Sequence, residues 1–164
     1  MSIVVRVATE ADYEDICRLF EELDELHRVA VPQVFRLSEG PARPKEHIYG
    51  VLSDNNATLL VAEDSGRLVG LIEVAVRESA PVPIMVPRRY GYIENIVVLN
   101  ISHRRGIGRA LMAAAEHWAK YKGVTAFELN VWNFNKMAIA FFEAMGYSIA
   151  SHRMWKLTGD KDEI

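Results

Sequence analysis

Apolar positions recur along the chain with two periods, near two and near three and a half, and their succession lays out the elements. "SIVVRVA" near the start is short and β-branched, which predicts a strand. Thr9 then stands where a helix cap is needed. Tyr13, Ile16, Phe20, Leu23 and His27 return at intervals of three and four, predicting an amphipathic helix from 11 to about 28. Glu10 and Asp12 sit at its positive end. "VAVPQVFRLSEGPARP" breaks the pattern before a short helix at "KEHIYGVL". "ATLLVAED" and "LVGLIEVAVRES" flank "SGR" and read as a hairpin turning at Ser65 and Gly66. A second proline-rich break, "APVPIMVPRR", leads into "YGYIENIVVL", the longest strand candidate. "GIGRALMAAAEHWAKYKG" predicts a helix with Ile107, Leu111, Ala114, Trp118 and Tyr121 on one face and Gly123 at its end. "TAFELNVW", "NKMAIAFFEAM" and "GYSIASHRMWKL" predict strand, helix and strand, and the acidic end, residues 159–164, is expected to fray.

This order describes one mixed domain of helices and strands over residues 1–158, with no internal repeat and no linker between two cores. At 164 residues the chain is long enough to bury a real core. A net charge of −3 argues against bulk nucleic-acid binding, so any phosphate site must be local. The single Cys17 cannot form an internal disulfide and reads as a small buried thiol. No run approaches the roughly 20 apolar residues that span a bilayer, and the first apolar run is short for a secretory leader, so a cytoplasmic protein off the membrane is expected. The histidines and Cys17 lack metal-ligand spacing, and no metal is expected.

The chemistry concentrates in "NISHRRGIGRAL", residues 100–111. A strand that feeds a helix through glycines leaves backbone N–H groups at the helix N-terminus, where an anion is favoured. Gly106 and Gly108 let a diphosphate approach the main chain, and Arg104, Arg105 and Arg109 add charge. The plain alternative is a tight strand-to-helix turn with solvated arginines. A nucleotide-binding Walker loop needs Lys then Ser or Thr after its last glycine, and Arg109-Ala110 follow here. A dinucleotide fingerprint needs a third glycine where Leu111 stands.

With those excluded, the loop resembles the signature R/Q-x-x-G-x-G/A of the GNAT superfamily of acyl-CoA-dependent N-acyltransferases. "HRRGIG" carries both glycines, with His103 in the R/Q position. "NKMAIAFFEAMGY" is similar to the family's later N-x-x-A-x-x-F-Y-x-x-x-G-F segment, matching at Asn135, Ala138, Phe141 and Gly146. The resemblance implies an α+β fold: a single mixed, largely antiparallel sheet flanked by helices, with splayed fourth and fifth strands. It implies acetyl-CoA as co-substrate, its pantetheine arm on the main chain of Ile96, Val97 and Val98. The pyrophosphate would lie on the Arg104, Arg105, Gly106, Ile107, Gly108 and Arg109 loop, with Asn135, Ala138 and Phe142 as further coenzyme contacts. Asn135 reads equally as a helix N-cap.

The implied reaction is acetyl transfer to a primary amine, of a small molecule or of a peptide, by direct attack in a ternary complex. An alkylamine is mostly protonated at pH 7, so a base must take its proton directly or through water. Glu94, an acid inside an apolar strand, is the candidate base, with a solvated or ion-paired glutamate as the alternative. Family members commonly place a tyrosine near the sulfur where this chain has Phe142, so Tyr90, Tyr92, Tyr147 or water would protonate the leaving thiolate, or it leaves unassisted. That departure keeps open a catalytically inactive, acyl-CoA-binding sensor or interaction domain. His27, Phe35, Tyr49 and Tyr92 are candidate acceptor-side residues, with His27 equally the end of an apolar stripe. Many members of the family are dimers, which makes a homodimer an open expectation.

Overall fold

The computed structural model describes residues 3–158. The chain divides into two compact units, Met1–Asn130 and Val131–Ile164.

The first unit is built on five strands: β1 (Val4–Val7), β2 (Ala57–Asp64), β3 (Arg67–Glu78), β4 (Arg89–Val98) and β5 (Ala126–Leu129). They lie in sequence order in one sheet, antiparallel except for the parallel pair β4 and β5. Ser65 and Gly66 turn the β2–β3 hairpin with φ of 52° and 79°. Two successive positive φ values match the twist of the flanking strands, and glycine takes its value without a Cβ clash.

Three helices cover the sheet: α1 (Tyr13–Ala30), entered through a 3₁₀ turn at Glu10–Asp12, α2 (Lys45–Ser53) and α3 (Ile107–Lys120). Strand residues alternate between faces, so beyond the irregularity at Val69 the odd-numbered β3 positions form one side. On that side Leu59, Val61, Leu71 and Val97 pack with Ile16, Leu19 and Phe20 of α1 and Ile48 of α2. On the other side Val76 packs with Ala119 of α3. A Cβ on Gly70 would come within 3.1 Å of Leu111 Cδ1 and 3.0 Å of the Val97 carbonyl, so α3 lies very close to the sheet there.

The face of α3 departs from one expectation. The buried face of α3 is Ile107, Leu111, Met112, Ala115 and Ala119, whereas Tyr121 is 80% exposed. The period of the helix is as expected, but its inward stripe runs through Met112, Ala115 and Ala119 and leaves Tyr121 outside.

The pairing of β4 governs the site. Glu73 of β3 faces Asn95 of β4 and the next β3 residue, Val74, faces Ile93, so Glu94 is an extra residue, a β-bulge. Pairs on the α1 side are Leu71 with Val97, Glu73 with Asn95, Ala75 with Tyr92 and Arg77 with Tyr90. On its other edge β4 pairs with β5 only from Tyr90 to Ile93. From Glu94 to Val98 its ladder partner among the described residues is β3 alone.

The second unit contains α4 (Lys136–Ala144). The Asn135 side chain accepts a hydrogen bond from the Ala138 N–H at 3.1 Å, capping it. The strand expected from "GYSIASHRMWKL" is not formed: residues 147–158 are neither helix nor strand. A strand requires a ladder partner, and that stretch pairs with none among the described residues. The frayed end expected at 159–164 lies outside the described residues.

Candidate coenzyme cradle and acceptor face

Between β4 and α3 the chain makes a 3₁₀ turn at Asn100–Ser102 and then the arginine-glycine loop. Glu22 of α1 accepts the Asn100 N–H at 2.8 Å, which ties the turn to the first helix. Arg104 and Gly106 both have positive φ, 61° and 78°. A Cβ on Gly106 would meet nothing within 4 Å, so there is open space beside the main chain there. Gly106 is also the N-cap of α3. The amides of the helix's first turn, Ile107 and Gly108 among them, have no acceptor one turn back, and the helix dipole adds partial positive charge. The loop therefore fits an anion by backbone alone.

Its side chains are arranged otherwise than the sequence suggested. Arg105 donates to Asp64 at 2.7 Å, and that guanidinium holds the Asp64 carboxyl below its usual range. Arg105 thus fastens the loop to the β2–β3 hairpin, while Arg104 and Arg109 are exposed. His103 Nε2 lies 2.7 Å from the Val98 carbonyl oxygen. A carbonyl only accepts, so Nε2 carries the hydrogen.

The neighbouring edge of β4 is open in an alternating way. Leu99 N–H bonds the Val69 carbonyl at 2.9 Å. In an antiparallel ladder bonded pairs alternate, so Val97 directs its main-chain groups to Leu71, and Ile96 and Val98 direct theirs away from β3. Ile96, and the N–H of Val98, are the outward groups that can pair with an extended ligand, the Val98 carbonyl already accepting from His103. Val97 separates them and buries its side chain in the core.

A polar patch occupies the α1 side of the sheet where β5 ends. Glu94 is half-buried and ion-paired with Arg77 rather than enclosed by apolar side chains. The Arg77 guanidinium lies 3.8 Å from the centroid of the Tyr92 ring. Asn130 Nδ2 donates to the Tyr92 hydroxyl oxygen at 2.7 Å. Burial pushes the Tyr92 phenol above its ordinary pKa. Asn95 Nδ2 donates to Glu73 Oε2 at 2.8 Å, and Glu73 is buried. Sequence reasoning missed Glu73, Asn95 and Arg77. The available signal was the acid in "GLIEVAVR", which interrupts an otherwise apolar stretch at a position that must face a packed layer.

The remaining candidates are dispersed. Phe35 lines an open cleft of about 1180 Å³ between α1 and the segment that follows it, with Glu21, Asp24 and Arg43. His27 stacks on Phe35 at 5.2 Å and places Nδ1 2.9 Å from the Leu23 carbonyl. Tyr49 packs on the core edge-on to Tyr13. Cys17 is half-buried, its sulfur 3.9 Å from the Arg43 carbonyl. In the second unit Phe142 is buried and edge-on to Tyr147 at 5.9 Å, and Trp132 is edge-on to Trp155 at 6.2 Å. No helix among the described residues is long and apolar enough to cross a membrane.

A half-open strand beside a glycine-capped helix N-terminus fits a ligand with an extended arm and an anionic group, as coenzyme A has. A family model for the acetyltransferase (GNAT) family matches residues 16–147. The chain belongs to that family of acetyl-CoA-dependent N-acetyltransferases. It is 27% identical over 103 residues to the aminoglycoside N(6′)-acetyltransferase type 1 of Klebsiella aerogenes, a match spanning 63% of this chain and 66%, just under two thirds, of the relative's length. A solved tetramutant of the BH1408 protein from Bacillus halodurans has TM-score 0.89 and 26% identity, covering 94% of this chain and 99% of that one. The aminoglycoside N-acetyltransferase AAC(6′)-Iy, solved in complex with CoA, has TM-score 0.74 and 17% identity, covering 96% and 95% of the two chains. That last likeness is one of fold.

Proposed function

We propose that this protein transfers the acetyl group of acetyl-CoA to a primary amine of a small molecule, by direct attack while both are bound. The observation that carries the reading is the free β4 edge from Glu94 to Val98, next to a helix N-terminus capped by Gly106. The outward groups of Ile96 pair with the pantetheine arm, like an added strand, and the outward N–H of Val98 is left for the thioester oxygen. The first-turn amides of α3 hold the pyrophosphate. Asn135, Ala138 and Phe142 remain assigned to the coenzyme by the family motif.

The amine attacks the thioester carbonyl, and negative charge develops on its oxygen. A main-chain N–H near Val98 stabilises that charge because it is already oriented and needs no reorganisation. Glu94 takes the proton from the attacking nitrogen, directly or through one water. Arg77 binds Glu94 Oε1 and so fixes the carboxylate, with Oε2 the atom to receive the proton. The intermediate then collapses and coenzyme A leaves as a thiolate. A thiol pKa near 8.5 makes it a fair leaving group even where Phe142 supplies no proton. Amine-bearing acceptors are also what the named relatives point to, since aminoglycosides present a reactive amine.

The test is a panel of alkylamines, aminoglycosides and peptides incubated with acetyl-CoA, with free thiol measured as it is released. Amine-dependent thiol release is expected. Acetyl-CoA binding by calorimetry with no acceptor in the panel would overturn the transfer reading in favour of a non-catalytic coenzyme-binding domain.

A further inference from the structure

Among the described residues Glu73 is the only charged side chain in the interior, at 7% exposure. It takes part in none of the ion pairs found among those residues. The other acids of β3, β4 and β5 are each matched by a guanidinium: Glu94 by Arg77, Glu128 by Arg88, Glu78 by Arg89. Glu73 instead receives a neutral amide, Asn95 Nδ2, on Oε2. No buried side-chain oxygen among the described residues lacks a hydrogen-bond partner, so Oε1 keeps contact with solvent. A carboxylate taken from water without a cation carries a desolvation cost that an amide only partly offsets.

Its place in the sheet gives that charge a use. Glu73 faces Asn95, next to the bulge at Glu94 and one pair beyond the last β4–β5 pairing at Ile93. It shares the α1 side with Arg77 and Tyr92. It therefore stands one strand, about 5 Å, from the mouth of the gap that β5 leaves open.

The structure assigns Glu73 as the carboxylate that selects the charge of the acceptor. This rests on the acetyl-transfer reading above. The acceptor arrives as an ammonium ion, and Glu73 Oε1 takes it at the mouth of the gap. The first proton passes through Glu94 to solvent, which frees Glu94 to take the second from the attacking nitrogen, so that capture and deprotonation belong to two different carboxylates. Alkylamines, charged at pH 7 because their pKa lies near 10, are preferred over arylamines, which are neutral there.

The experiment measures kcat/KM for acetyl transfer from acetyl-CoA to 1,4-diaminobutane and to 4-methoxyaniline, with wild type, Glu73→Gln and Glu73→Asp. Glu73→Gln keeps the shape and the Asn95 bond and removes the charge. It is expected to lower kcat/KM for the diamine about tenfold or more, mainly through KM, as loss of a charged hydrogen-bond partner does. The arylamine value is expected to stay within about twofold, the ordinary effect of losing no partner. Glu73→Asp keeps the charge but withdraws it, and is expected to fall between the two; it also serves if the glutamine variant does not fold. Equal loss for both acceptors, or loss for neither, overturns the assignment while leaving the transfer reading intact. A wild type that binds acetyl-CoA and acetylates no amine overturns both.

Discussion

His103 donates its Nε2–H to the carbonyl oxygen of Val98, 2.7 Å away. The loop that would hold the coenzyme's phosphates is thereby tied to the end of the strand that would hold its arm. Replacing His103 with Leu removes the donor and keeps an apolar side chain. The KM for acetyl-CoA is expected to rise roughly threefold to tenfold, the worth of one net hydrogen bond, with kcat little changed. His103→Gln, which can donate from its amide, is expected to recover most of the loss in the same steady-state assay. A KM unmoved by the leucine variant would show that the loop holds its shape without this bond.

Glu94 is expected to act on turnover and not on coenzyme affinity. Glu94→Gln should lower kcat about a hundredfold, within the range general-base removal produces. The affinity for acetyl-CoA, followed by calorimetry, should not change. If kcat survives, the base lies elsewhere.

Gly91 has no room for a side chain. A Cβ there would lie 2.6 Å from the Phe127 ring, and Ala119 closes the other side. Gly91→Ala must push β5 outward or turn the ring against α3. It is expected to cost about 1–3 kcal/mol by overpacking, read as a lower midpoint in urea unfolding. An unchanged midpoint would mean that β5 moves freely against β4.

Acid should weaken the entry to α1. The Arg6 guanidinium grips both oxygens of Asp12 at 2.8 Å, and the Thr9 N–H adds a third bond. Together, with Arg6 the main cause, they hold the Asp12 carboxyl down at about 2, against 3.8 for the unperturbed group. A carboxyl depressed in the folded state stabilises fully above its unfolded value. That contribution is lost as pH falls from about 4 to about 2. Solvent screens part of it, which leaves on the order of 1 kcal/mol. Asp12→Asn should unfold in less urea than wild type at pH 7 and match it near pH 2.

Much of the fold was legible because it rests on local rules. The turn at Ser65-Gly66, the cap at Asn135 and the period of α1 are each set by residues within a few positions. The single mixed, largely antiparallel sheet and the glycine loop followed from the family motifs. What escaped depends on partners far along the chain. The inward face of α3 is set by its packing against the sheet, Gly70 included, 37 or more residues away. The ion pair of Glu94 joins it to Arg77, 17 residues earlier, through a register that no local pattern encodes. Glu73 left a signal, an acid in an apolar strand, but its isolation from every guanidinium among the described residues is a property of the pairing. The stretch 147–158 has strand-forming residues and no ladder to join.

The bulge at Glu94 also works as a frameshift within a strand. Beyond it the odd-numbered residues of β4, Asn95 and Val97, face α1, and before it the even-numbered ones do, Tyr90 and Tyr92. One inserted residue lets a single strand change its reading frame at the point where β5 departs. Removing residue 94 would throw Tyr90 and Tyr92 onto the α3 side and expose Gly91 and Ile93 to the α1 side. Substitutions can retune this position, but a one-residue deletion turns the acceptor face inside out.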